Sequence, residues 1–242
     1  RRVRTKAAAY VAPTAAMAEI LRSRVAPELV TLAPLGVSVP PQARVVLKAP
    51  DTSIALAVIG GGRDVPAYRG VLTALSPLVA GAPQIQIVLE LRGPRQHEIW
   101  QIARQLELLA HLSTLEDAAS YRALLTRCDV MIQPETDGEV RSLLLEAMAS
   151  GLPVVAGAHR ALDLLRDGDT ASVVVGQDPE AWTQRLRDLV EHPDEARRLG
   201  LAGRECVAQQ HRSSTQCAAL YQTFEAMRSG GAYPFSARSA TG

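Results

Sequence analysis

The sequence predicts an α/β protein, a single doubly wound domain with a parallel sheet of about six strands flanked by helices. Three observations predict it. Strand and helix signals alternate along the chain, the pattern of helices layered on a sheet. The strand candidate Leu152 to Ala156 is apolar without alternation, as a parallel strand covered on both faces requires. A second strand candidate, Ser53 to Ile59, runs directly into Gly60-Gly61-Gly62-Arg63. A glycine turn at a strand end lets backbone approach a phosphate closely.

Composition narrows the class. The 242 residues carry 26 Lys and Arg against 25 Asp and Glu, a formal net charge of +1, so overall charge points to no polyanionic partner. Aromatic residues are 4% of the chain, too few for a base-stacking platform. Nucleic acid is therefore not an expected partner. Cys128, Cys206 and Cys217 are scattered, with no Cys-x-x-Cys pair. They predict buried thiols in a reducing cytoplasm rather than a metal site or disulfides. No apolar run reaches the length of a membrane span, and no repeat or heptad series is present. The basic start Arg1 to Lys6 is followed by an apolar stretch that Pro13 and Glu19 interrupt, so it reads as the inside of a longer protein and not as a secretory signal.

Taken in order, Tyr10 to Pro13 closes a strand, and Thr14 is the expected N-cap of a helix to Arg24. Leu29 to Leu32 is a short strand leading to Ala33-Pro34-Leu35-Gly36-Val37. Residues 38–52, with three prolines, read as a linker. After the glycine turn a helix is expected near Tyr68-Arg69-Gly70. Gln84 to Leu91 is the next strand, and His97 to Leu109 is an amphipathic helix with Ile99, Ala103, Leu106 and Leu109 on its apolar line. His97 and Trp100 are surface and packing residues in this reading. A strand over Ala110 to Ser113 and a helix over Asp117 to Arg127 follow.

The stretch Cys128 to Gly157 is the most informative. Asp129 to Gln133 is an apolar run stopped by Pro134, and Glu135 to Glu139 is an acidic loop containing Gly138. Helical spacing begins at Val140, with Leu144 and Met148 on one face and Leu143 and Ala147 beside it. Gly151 is placed to cap the helix and Pro153 lies beyond it. The helix N-terminus of such a β-α-β unit faces a strand end, where anions and nucleotides bind. Glu146 sits mid-helix among Ser142, Ala149 and Ser150, a small and partly polar face. Spacing alone leaves it a solvated glutamate or a ribose ligand.

Beyond Gly157, His159 reads as incidental, although an imidazole suits proton transfer. Ala171 to Val175 is a strand. Asp178 caps a helix to Glu191 with Pro179 in its first position, and two more helices span Pro193 to Arg228. Residues 230–242 are rich in Gly, Ser and Ala and are expected to be disordered.

The motif LLLEAMASGLPVVAG resembles the EAMA-x-G-x-PVVA signature of the C-terminal domain of group 1 glycosyltransferases of GT-B fold. The resemblance covers about residues 7–228. It implies that 53–229 is a Rossmann-like donor-binding domain and that 1–37 is the crossover from an N-terminal domain not evident here. In that family the second Glu of a Glu-seven-residues-Glu motif binds the ribose of the sugar nucleotide, which Glu146 matches. The first Glu falls at Gly138, and Asp137 and Glu139 flank the gap as substitutes. The family's basic pair that clamps the donor diphosphate matches Arg63 and Arg69, with Gly62 in the turn between strand and helix. Main chain just after the strand containing Leu112 reads the base. Asp163 takes the place of a Glu before the family's LV-x-DG element, near the donor sugar, and Ser142 shares the Glu146 face.

The resemblance implies transfer of a hexosyl-type sugar from a nucleotide diphosphate sugar, with no metal and no cofactor beyond that donor. The acceptor, carbohydrate or lipid-linked, would be held by the missing domain, and peripheral contact with a membrane stays open. A catalytically silent binding module, supported by Gly138, and a sugar-nucleotide epimerase of the same fold are the alternatives.

Overall fold

The computed structural model describes residues 9–44, 53–90, 92–115, 124–125, 127–137 and 140–228. Most of the expected helix over 117–127, the pair Gly138 and Glu139, and the tail from residue 229 lie outside them. Strand β1 (Tyr10–Ala12) pairs in parallel with β2 (Val30–Leu32) across helix α1 (Ala15–Arg22), around a small core of Ala12, Ala18 and Val30. Thr14 caps α1 as expected, accepting from the Met17 N–H at 3.1 Å. Its own hydroxyl donates to the Ala161 carbonyl at 2.7 Å, which ties this unit to the larger one.

The larger unit comprises β3 (Ile54–Val58), α2 (Val65–Gly81), β4 (Ile85–Glu90), α3 (Gln96–Gln105), β5 (Leu112–Leu115), β6 (Val130–Gln133), α4 (Ser142–Ala149), β7 (Val154–Gly157), β8 (Ser172–Val174), α5 (Pro179–Glu191), α6 (Pro193–Gln210) and α7 (Ser213–Arg228). Its six strands lie in the order β5-β4-β3-β6-β7-β8, and every pairing is parallel. Consecutive residues of β3 and its extension feed opposite cores: Leu56 and Val58 join α2, α3 and α5, whereas Ala57 and Ile59 join α4 and α6. Two apolar faces explain why these strands lack alternation in sequence.

Helix ends follow local chemistry. Gly151, at φ 84°, closes α4 as expected, its N–H donating to the Met148 carbonyl at 2.8 Å. Asp178 caps α5, accepting from the Glu180 N–H. Three expectations move. Helix α2 begins at Val65, earlier than the region of Tyr68, because Asp64 caps it by accepting from the Ala67 N–H and Pro66 suits the first turn. Helix α3 stops at Gln105, and a 3-10 turn over Leu108–His111 pushes the following strand to Leu112–Leu115. Leu109 is thereby 38% exposed instead of lying on the apolar line. Helix α4 starts at Ser142, two residues after Val140. Among the described residues no helix is long and apolar enough to cross a membrane.

Candidate functional site

The chain places β4 and β5 on one side of β3, then returns to lay β6, β7 and β8 on the other. A crevice opens where such an order reverses, beyond the carboxyl ends of the two central strands. Here those strands are β3 and β6, and the loops that follow them wall a cavity of about 370 Å³. Gly60, Gly61, Arg63 and Asp64 come from one loop, Gln133 from the end of β6 and Glu135 and Asp137 from the loop after it, with Arg95 and Arg141 entering beside α3 and α4.

The glycine turn is pressed against the loop after β4. Gly62 adopts φ 62°, and a Cβ there would stand 2.7 Å from the Arg92 carbonyl oxygen. Gly93, at φ 142°, would put a Cβ 2.2 Å from the Gly61 oxygen. Only glycine serves at both places. Held this way, the turn converges three N–H groups on one carboxylate. Gly61 donates to Glu135 Oε2 at 2.5 Å, and Arg63 and Asp64 donate to Oε1 at 2.8 and 3.2 Å. Glu135 is 8% exposed. The turn leads into the N-terminus of α2, so the amides and the helix dipole favour negative charge at the same spot.

Beside it lies a second carboxylate. Glu90 ends β4, is 2% exposed, and accepts from the Gly60 N–H at 3.0 Å. Arg141 grips it with both terminal nitrogens, Nη2 to Oε1 at 2.7 Å. This pair ties the start of α4 to β4 across the crevice floor, and losing one partner would strand a buried charge. The Tyr68 hydroxyl is buried under the turn, next to the Gly62 backbone. Burial, reinforced by the charges of Glu135 and Glu90, holds its ionisation far above the usual tyrosine range. Gln133 is buried too, and its Oε1 has no partner. His159, in the loop after β7, is pushed below the ordinary imidazole value by burial, against the opposing charges of Asp137 and Glu135. Its Nδ1 accepts from the Ala161 N–H at 3.1 Å, leaving Nε2 buried without a partner.

Of the residues expected from sequence, Arg63 and Asp137 reach the cavity wall. Gly62 shapes the turn without lining the cavity. Arg69 is exposed on α2, three residues beyond Pro66, which does line it. Glu146 is half-buried in α4 between buried leucines and alanine, and Ser142 is exposed at the helix start. Neither forms part of the cavity wall. Leu112 opens β5 partly buried, and Asp163 is exposed in the loop after β7. Gly138 and Glu139 fall outside the described residues. Sequence reasoning missed Glu135, Glu90, Gln133 and Arg141. The available signal was a polar residue ending each of two apolar strands, at the edge where α/β proteins bind ligands. Among the described residues no cluster of His, Cys, Asp or Glu could hold a metal ion.

The family model for glycosyl transferases group 1 matches residues 47–192, more than half of the chain. The chain belongs to this family. It is 32% identical over 146 residues to a GDP-mannose-dependent alpha-(1-6)-phosphatidylinositol monomannoside mannosyltransferase of Mycolicibacterium smegmatis, a match covering 55% of this chain and 37% of the relative. The chain thus spans little more than a third of that relative's length. Among solved structures, Anabaena HepE in complex with UDP and glucose superimposes with a TM-score of 0.76 at 16% identity, over 90% of this chain and 63% of that one. The C-terminal domain of a group 1 glycosyl transferase from Francisella tularensis matches 67% of this chain and 88% of its own length, with a TM-score of 0.59 at 17% identity. The fold of this group 1 member is the Rossmann-like, six-stranded half of a GT-B glycosyltransferase.

Proposed function

We propose that this chain is the donor-binding part of a glycosyltransferase and takes the diphosphate of a nucleotide sugar at the glycine turn. The observation that carries the reading is the convergence of the Gly61, Arg63 and Asp64 N–H groups on one oxyanion at the sheet reversal. A phosphate oxygen has the same needs as the carboxylate now there. In transfer the bond between the anomeric carbon and the phosphate breaks, and negative charge grows on the departing diphosphate. The amides, the α2 N-terminus and Arg63 in the wall would stabilise that charge without a metal, and the family resemblance adds Arg69, exposed one turn along α2. Glu146 is the assigned ribose ligand, main chain near Leu112 the base contact, and Ser142, Asp163 and the loop holding Gly138 and Glu139 the sugar side. Residues 1–37 are the crossover from a second domain that would hold a carbohydrate or lipid-linked acceptor, and the donor sugar is a hexose in this reading.

The names of relatives guide the test. One is named for GDP-mannose and a structural neighbour holds UDP. A thermal-shift panel of UDP, GDP and ADP against their nucleosides is decisive. At least one diphosphate should stabilise the chain by about 2.7 kcal/mol at a hundred times its Kd, with the nucleosides far less effective. A panel in which no diphosphate acts would instead favour a silent module of this fold, the reading that a carboxylate seated among the amides also supports.

A further inference from the structure

The same three amides that would hold a phosphate are already engaged. Each N–H has one hydrogen, and all three point at Glu135, from 71 to 74 residues away in sequence. Helix capping does not require this, because Asp64 already caps α2 at the Ala67 N–H. Charge in the cavity wall is balanced, with Arg63, Arg95 and Arg141 against Asp64, Glu135 and Asp137. A phosphate cannot join the amides while the carboxylate stays, since two anions would share three hydrogens at hydrogen-bond distance. A second observation concerns the same space: Gln133 Oε1, on a side chain 3% exposed in the cavity wall, has no hydrogen-bond partner. As a carbonyl oxygen it can only accept, so it calls for a ligand donor beside the phosphate position, such as a hydroxyl of the nucleotide sugar.

We propose that Glu135 sets donor affinity at this site: its carboxylate holds the three amides in the empty protein and is exchanged for a phosphate oxygen when the nucleotide enters. The proposal rests on the reading that the crevice takes a nucleoside diphosphate. Glu135 keeps the turn in its binding shape and prevents the amides from being orphaned, and the donor must displace it. Apparent affinity is therefore reduced by the fraction of molecules in which the carboxylate is seated.

The test compares the 242-residue chain with Glu135→Gln, which keeps the shape and one acceptor but removes the charge, and Glu135→Ala, which vacates the amides. Calorimetric titration with pyrophosphate, UDP, GDP and the two nucleosides reads the result. Pyrophosphate and the diphosphate should bind about tenfold more tightly to the variants, the nucleosides unchanged. Anion affinity that is equal or weaker in both variants overturns the proposal and makes Glu135 a scaffold of the turn. Should Glu135→Ala fail to fold, Glu135→Gln alone carries the test. A wild type that binds UDP or GDP with no gain in the variants overturns the exchange while leaving nucleotide binding standing. A gain for pyrophosphate to which neither nucleoside diphosphate adds supports the exchange and removes the nucleotide. If no anion binds any of the three proteins, both readings fall.

Discussion

Glycines 60 to 62 and glycines 151, 200 and 203 mark two close approaches of backbone, and they differ in what stands opposite. At the turn after β3, the amides of the approaching chain face a carboxylate and an open crevice. At the junction of α4 with α6, glycine meets backbone with no space between. A Cβ on Gly200 would lie 2.2 Å from the Gly151 oxygen, and one on Gly203 would lie 3.0 Å from the Thr170 oxygen. The first set brings donors to a ligand; the second lets a helix settle against the end of another and bury Met148, Cys206 and Val207. Glycine content looks alike in sequence, yet one set should govern affinity and the other stability.

The largest effect should come from Gly200→Ala. The methyl group meets backbone, which cannot rotate away, so the cost should reach the upper end of overpacking, about 3 kcal/mol. For a chain of this size that lowers Tm by roughly 6–12 °C. Diphosphate affinity of the folded protein should be unchanged. A loss of stability well below 1 kcal/mol, read from denaturant midpoints, would mean that α6 can move outward, and the contrast would collapse.

Arg63→Ala tests the other side. The side chain is exposed in the crevice wall, so stability should stay within about 0.5 kcal/mol. Diphosphate binding should weaken by about 2 kcal/mol, roughly thirtyfold, as a charge-assisted contact is lost. The bare nucleoside should lose far less. Equal losses for both ligands would show that Arg63 acts on the base or on the turn itself.

The smallest effect concerns His159, in the loop after β7, which faces the acidic residues Glu135 and Asp137. Burial depresses its folded pKa below the unfolded 6.5. Between those two values the unfolded chain binds more protons, so stability rises with pH through that window. The contribution is fully present above 6.5 and fades as pH falls towards the folded value. His159→Gln should therefore flatten the acid side of the stability profile, measured by denaturant midpoints from about pH 7.5 to about pH 5. A profile as steep in the variant as in the wild type would assign the slope to other groups.

The sequence by itself determined the elements and the character of their faces. Thr14, Gly151 and Asp178 act at helix ends as local chemistry required. Ser142, Glu146 and Ser150 form the polar edge of α4 while Leu143, Leu144, Ala147 and Met148 are buried, as helical spacing predicts. The glycine turn and Arg63 were legible because a strand, a turn and a helix start are neighbours in the chain. Tertiary structure alone decided which groups meet in the crevice. Glu135 reaches the turn across more than 70 residues, and Arg141 reaches Glu90 across 51. Those contacts exist because the sheet reverses between β3 and β6, and strand order is set by packing of the whole layer. Periodicity and capping act over a few residues, so they place a carboxylate at the end of a strand without saying which amides it will find there.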